Sequence, residues 1–378
     1  SARIDSTTSI ATLYDAGYFR SANEIDKRNT LSENIIGTIS TYHFSENFLL
    51  GGSFYQIKFG NALLTQQTLL EKQKPFSSAS ISFDGKFSKA KFFGEIAHER
   101  NNSASIFGTE ISASRNFSFV VVWRKYDENF LSLHGLGFGE RTETSKENGM
   151  YFGCSINPIR RANISLYYDQ FSFPQQTFSA IFPSNGNDAL LRFDIQVTEQ
   201  LSISLQTQRK KTISNATVLL SGIYSRFDIE ETKQRYRFTL ESRSSSGFSF
   251  RNRIEFVNVK KDFTSKVENG FLVYCDVGKR ITSDVTANFR IAFFHTDSFE
   301  SRVSEFEKDV TGALNVPALY GKGIRWYVFL DWNIYSNLSL QTKYTATFRD
   351  DVKFIGTGES AFSTNAINTI TMQLDWSM

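Results

Sequence analysis

The chain has 378 residues, with 42 basic and 39 acidic side chains, a formal net charge of +3 and a mean hydropathy of -0.30. That is too polar for a protein crossing a membrane on apolar helices, and the near balance of charge gives no reason to expect a nucleic-acid partner. Aromatic residues still reach 15%, with 37 phenylalanines, so the apolar side chains must be dispersed among polar ones.

From the N-terminus onward, segments of roughly ten residues alternate apolar and polar positions, the period of a strand whose successive side chains face opposite ways. The segment Asn34 to Phe44 is followed by a short turn at Ser45 to Asn47, another strand, and a long polar stretch from Gly60 to Ser77. Further short turns are expected at Asp84 to Ser88, Arg115, Pro158 to Arg161, Thr198 to Gln200, Ser244 to Gly247, Lys279 to Thr282 and Tyr335 to Ser336. Long links are expected at Glu128 to Glu147, Phe173 to Gly186, Lys211 to Thr232, Phe299 to Gly323 and Arg349 to Ala366. Short turns at one end and long links at the other are the parity of a transmembrane barrel with periplasmic turns and outer loops.

The alternation sharpens along the chain. Leu201, Ile203 and Leu205 oppose Ser202, Ser204 and Gln206, and Val285, Ala287, Phe289, Ile291 and Phe293 oppose Thr286, Asn288 and Arg290. In the clearest pair, Ile324, Trp326, Val328, Leu330, Trp332 and Ile334 form one face, continued by Leu338, Leu340, Tyr344, Ala346 and Phe348. The other face carries Arg325, Tyr327, Asp331 and Asn333, then Ser339, Gln341, Lys343, Thr345 and Thr347, with Phe329 its one apolar member. The last segment sets Ile370, Met372, Leu374 and Trp376 against Thr369, Thr371, Gln373 and Asp375.

Size decides which face is inside. A barrel of about 18 such strands has a lumen that side chains cannot fill, so an apolar interior would face water and the apolar set must meet lipid. The expected fold is therefore all-β, a single antiparallel transmembrane β-barrel over residues 1 to 378 in the outer membrane of a Gram-negative bacterium. Trp326, Trp332 and Trp376 are then the aromatic residues of the membrane interfaces. The five prolines, Pro75, Pro158, Pro174, Pro183 and Pro317, are all expected in links, since a strand inside a sheet needs its N–H groups. Cys154 and Cys275 fall on apolar faces without ligand-type spacing, so neither a metal nor any other cofactor is expected.

The richest polar content lies in the inward set of two neighbouring strands: Arg235, Arg237, Thr239, Glu241 and Arg243, then Ser249, Arg251, Arg253 and Glu255. Two readings are open. The five arginines are a basic wall that biases a pore towards anions, or they form a self-neutralising network with Glu241, Glu255, Asp194, Asp276 and Asp331. The link from Ser298 to Gly323 carries Arg302, Glu305, Glu307, Lys308 and Asp309 and ends in Gly321 and Gly323; it either turns inward as a constriction loop or extends outward as an exposed hairpin. Arg209, Lys210 and Lys211 close a strand at its outer end, where lipopolysaccharide phosphates or simply water would receive them. The four histidines, His43, His98, His134 and His295, are scattered without a nucleophile or acid motif, so an enzyme is not expected.

Stretches such as SANEIDKRNTL (Ser21 to Leu31), FFGEIA (Phe92 to Ala97), ENGFLVYCDV (Glu268 to Val277), SRVSEFEKDV (Ser301 to Val310), VPALYGKGIRWY (Val316 to Tyr327) and IGTG (Ile355 to Gly358) resemble a family of bacterial outer-membrane barrels described through an N-terminal helix-hairpin-helix, competence-type region. The resemblance runs from about Arg3 to the C-terminus. It implies that this chain is a C-terminal portion, that further strands and a helical region or a periplasmic partner precede it, and that DNA is a partner by family analogy alone. The chain departs from the family in lacking that helical region and ends LDWSM where outer-membrane barrels usually end on an aromatic residue. The function expected is a pore or translocation conduit for solutes or a polymer; the alternatives are a non-conducting scaffold with a plugged lumen and a soluble all-β protein that binds glycans at the cell surface.

Overall fold

The computed structural model describes residues 3–4, 9–10, 25–26, 28–64, 69–70, 74–220, 223–262, 266–354 and 363–377. The IGTG motif and the first part of SANEIDKRNTL lie outside the described residues.

Seventeen strands among the described residues form a closed barrel. In chain order they are β1 (Glu33–Ser45), β2 (Phe48–Phe59), β3 (Phe76–Phe87), β4 (Ala90–Glu99), β5 (Asn102–Ser114), β6 (Phe117–Tyr126), β7 (Glu147–Ile159), β8 (Ala162–Phe173), β9 (Ser184–Gln196), β10 (Leu201–Leu220), β11 (Ile223–Arg243), β12 (Phe248–Lys261), β13 (Val267–Arg280), β14 (Val285–Thr296), β15 (Lys322–Tyr335), β16 (Leu338–Arg349) and β17 (Ala366–Trp376). Barrel strands with a described register pair antiparallel with their sequence neighbours, because short turns bring each strand straight back alongside the last.

The chain divides into two compact units. In the first, β1 to β6 pair in sequence order, and the short pieces Ala62–Leu64 and Leu69–Leu70 form part of a separate small sheet. Ile81, Phe92, Ile96 and Trp123 are exposed, whereas Ile57, Phe59, Leu63, Leu70 and Phe76 pack into a buried cluster.

In the second unit the register of β15 and β16 keeps the alternating faces together. Ile324 opposes Phe348, Trp326 opposes Ala346, Val328 opposes Tyr344 and Trp332 opposes Leu340, while Arg325 opposes Thr347, Phe329 opposes Lys343 and Asp331 opposes Gln341. A slip of one residue would have turned every apolar side chain inward. Trp332 is 41% exposed and Trp376 70%, yet Tyr327 and Lys343 on the opposite face are each 1% exposed. Trp326 packs on Tyr344 at 5.2 Å between ring centroids, along the same outward row. Exposed large apolar side chains on one face and buried polar ones on the other are the inverse of a water-soluble barrel, and lipid is the solvent that makes this arrangement stable.

Two expectations need correction. The link from Lys211 to Thr232 is not a loop: β10 and β11 stay paired in register from Leu201 and Ser242 up to Leu220 and Ile223. At about 3.3 Å per residue this hairpin is roughly 65 Å long, more than twice the apolar band of about 25 Å, so its far part stands in water on both faces. With both faces in water no alternation marks it as strand. Pro158 lies within β7 rather than in a link, one residue from its end, where a missing N–H costs little. Cys154 and Cys275 are both free thiols.

A charge placed on the outward row should be costly. Val328→Arg, between Trp326 and Trp332, is expected to destabilise the barrel by about 2–4 kcal/mol, read from reversible unfolding in lipid vesicles. Unboiled protein should also migrate faster on a denaturing gel than boiled protein, and equal migration would contradict a closed barrel.

Candidate wall network and infolded hairpin

The segment between β14 and β15 turns inward. Val303–Ser304 pairs with Ala318–Leu319, and Glu307 bridges to Asn315, so residues 298–321 form a short hairpin laid against the polar face of the sheet. Two glycines permit this. Gly270 on β13 faces the Ser301 carbonyl so closely that a Cβ would lie 2.1 Å from it, and Gly321 takes φ +79 where the chain returns to β15.

The hairpin is held by both apolar and ionic contacts. Val303 and Leu319 join Val257, Val259, Leu272, Tyr274, Ala292 and Phe294 in one buried cluster. Below it, Val310 covers Tyr327 and Phe329, and the Lys308 ammonium sits 5.0 Å above the Phe329 ring. Phe329, the apolar exception on its polar face, is the floor on which the hairpin tip rests.

Each carboxylate of the hairpin meets a cation of the wall. Glu305 accepts from Arg253 and, at 3.2 Å, from the Tyr274 hydroxyl. Glu307 accepts from Nε and Nη2 of Arg325, at 2.6 and 2.8 Å, and lies 3.3 Å from Lys343, whose Nζ also donates to Asp309 at 2.9 Å. Arg290 donates to the Phe306 carbonyl at 2.7 Å, Lys308 to Asn288 at 2.8 Å, and the Thr311 amide to Gln341 at 2.7 Å. Arg302 stays within the hairpin's own base, over the Phe299 ring at 4.2 Å and 3.9 Å from Glu300. These wall partners lie on β12 to β16, the strands beside the hairpin.

The arginines of the expected basic wall are mostly paired. Arg237 and Arg235 flank Glu255 at 2.7 and 3.2 Å, Arg251 binds Glu241 at 2.8 Å, and Arg253 reaches Glu305. Along one row the partners across successive strands are Glu241, Arg251, Asp276, Arg290 and Tyr327, so acid and base alternate. Arg243, at the turn end, makes no side-chain hydrogen bond to the described residues. The fully buried Glu255 is the centre of the pairing: two guanidiniums compensate for its lost hydration.

Sequence reasoning found the hairpin's charges and the arginines of β11 and β12; it placed Arg290, Arg325 and Lys343 on the polar faces of their strands but gave them no part in the site. It also missed a second network in the first unit. There Arg124, wholly buried, bonds Glu147 at 2.7 Å and Asp169 at 2.8 and 3.1 Å, and the Phe138 ring lies 5.2 Å away. The signal available was an arginine in the inward register of a strand otherwise reading FVVVW. Of the histidines, His98 contacts Ser103 at 3.2 Å and His134 contacts Glu33 at 2.7 Å. Arg209, Lys210 and Lys211 do not close their strand as expected, since β10 runs on to Leu220; Arg209 is exposed partway along it, and Lys211 pairs with Glu230 at 2.5 Å.

No known family profile matches the chain, nor does any curated protein. Among solved structures the chain is similar to the siderophore receptor PirA from Acinetobacter baumannii, with TM-score 0.53 and 9% identity over 92% of this chain and 64% of that one. It is similar to the ferric enterobactin receptor PfeA from Pseudomonas aeruginosa, with TM-score 0.50 and 9% identity over 90% and 62% of the respective chains. OmpT of Vibrio cholerae aligns with TM-score 0.43 and 9% identity over 90% of this chain and 98% of that one. The fold is that of the bacterial outer-membrane β-barrels.

Lys343→Met removes the cation shared by Glu307 and Asp309. Breaking a buried pair from one side is expected to cost about 3–5 kcal/mol, read by denaturant unfolding in vesicles. The loosened hairpin should then be cut by trypsin at Arg302 and Lys308 faster than in the parent protein.

Proposed function

We propose that the protein is an outer-membrane pore whose passage is narrowed, without being filled, by the hairpin of residues 298–321. The observation supporting this is that the hairpin's wall bonds go to the strands beside it, with its carboxylates spent on the adjacent wall. A segment held flat against one side constricts a barrel, whereas a plug must engage it all round. The passing solutes are small and hydrophilic. Because Arg235, Arg237, Arg251 and Arg253 are each paired, their bias towards anions is mild. On the lipid side, the exposure of Arg209 supports a contact with lipopolysaccharide phosphate.

A second reading, a non-conducting scaffold, draws support from the depth of the pairing: Glu255, Lys343 and Tyr327 are almost wholly buried, as in a wall built for rigidity. Planar-bilayer recording separates the two. The pore reading expects steady single-channel current that rises when Ser301 to Val316 is deleted; a silent bilayer with inserted protein supports the scaffold, and unchanged conductance on deletion removes the constriction.

A further inference from the structure

The row of inward residues that starts at the turn with Arg243 reads Arg243, Ser249, Gly278, Asn288, Phe329 and Lys343 across β11 to β16. Its middle is small. A Cβ on Gly278 would meet the Ser249 hydroxyl at 2.4 Å and the Asn288 amide nitrogen at 2.7 Å, so two polar groups converge over a backbone without a side chain. The row above it is bulky and charged, and the tip of the hairpin closes one side with Phe306 and Lys308. The result is a pocket of about 370 Å³ lined by Arg243, Ser249, Arg251, Asn288, Arg290 and Lys308, together with Glu241, Asp276, Phe306 and Tyr327.

The charges in this pocket do not cancel. Four cations line it against two carboxylates, and both carboxylates are already engaged: Glu241 by Arg251 at 2.8 Å and Asp276 by Arg290 at 2.6 Å. Arg290 is 3% exposed and its Nε has no partner, nor has the buried Asp276 Oδ1. Arg243 makes no side-chain bond to the described residues, and the Lys308 ammonium is held at the pocket by Asn288. Unspent guanidinium and ammonium donors, a hydroxyl and an amide around one cavity match a tetrahedral oxyanion, whose oxygens accept from several directions at once. The unpartnered Asp276 oxygen matches the hydroxyl of a monoprotonated phosphate, which donates where a fully ionised oxyanion cannot.

We propose that this pocket is a binding site for small phosphate-bearing solutes, taken up from the lumen beside the hairpin tip. The proposal builds on the pore reading by naming a solute class, but the site itself needs only the folded wall and hairpin.

The test is calorimetric titration of the detergent-folded chain with inorganic phosphate in chloride buffer, alongside bilayer current with phosphate added. Arg243→Gln and Lys308→Met each remove one cation of the pocket, and Ser249→Asp puts a negative charge on the cavity floor; Lys86→Gln, at an exposed lysine of β3 outside the pocket, is the control. Far-UV circular dichroism and gel migration confirm that each variant folds. The expected result is saturable phosphate binding that weakens about tenfold in each cation variant, vanishes in Ser249→Asp and is unchanged in the control. Phosphate binding without any conductance would keep this site and overturn the pore. Conductance without saturable phosphate binding, or binding indifferent to all three variants, would overturn this site and leave the pore reading standing.

Discussion

In hydrocarbon a backbone N–H or C=O has no water to turn to, so every polar group of the spanning chain must be paired within the protein. A sheet meets this demand only if it closes. Once it closes, half of each strand is committed to lipid and the other half to the interior. Arginines, carboxylates and tyrosines that a soluble protein would keep at its surface are thus gathered on one concave face, and the inner chemistry of this chain follows from that.

The inner face then has its own problem, because charges crowded at low dielectric repel or attract strongly. Here it is met by register. Antiparallel pairing sets Glu241 beside Arg251, Arg251 beside Asp276 and Asp276 beside Arg290, so neutralisation runs across the strands. Such buried pairs contribute less to stability than their Coulomb attraction suggests, since desolvation offsets most of it, but losing one member is costly. They therefore act mainly to fix geometry: the hairpin can seat in only one place, with Glu305 under Arg253 and Glu307 between Arg325 and Lys343.

The apolar contacts follow the same logic. Val303 and Leu319 are buried against Leu272 and Phe294, and Val310 against Tyr327 and Phe329. These inward apolar residues would be errors in an open water-filled barrel, and they are explained by the hairpin that covers them. Wall and hairpin are complementary in both grease and charge, and an uncompensated remainder, Arg243 and Lys308 beside Gly278, stands out against that background.

The sequence by itself determined the period-two alternation, the outward set of Ile324, Trp326, Val328 and Trp332, and the hairpin's charge composition, because each is local to a strand or a link. It could not reveal that Lys211 to Thr232 continues as paired strand, since a hairpin in water on both sides needs no alternation. Nor could it choose between inward and outward courses for residues 298–321, or between an open basic wall and a paired one. Those outcomes depend on which residues stand opposite across strands distant in sequence, as Arg325 and Lys343 do around Glu307. Only the tertiary structure decided them, because the energy of a buried charge is set by its neighbours in space, and strand register brings those neighbours together.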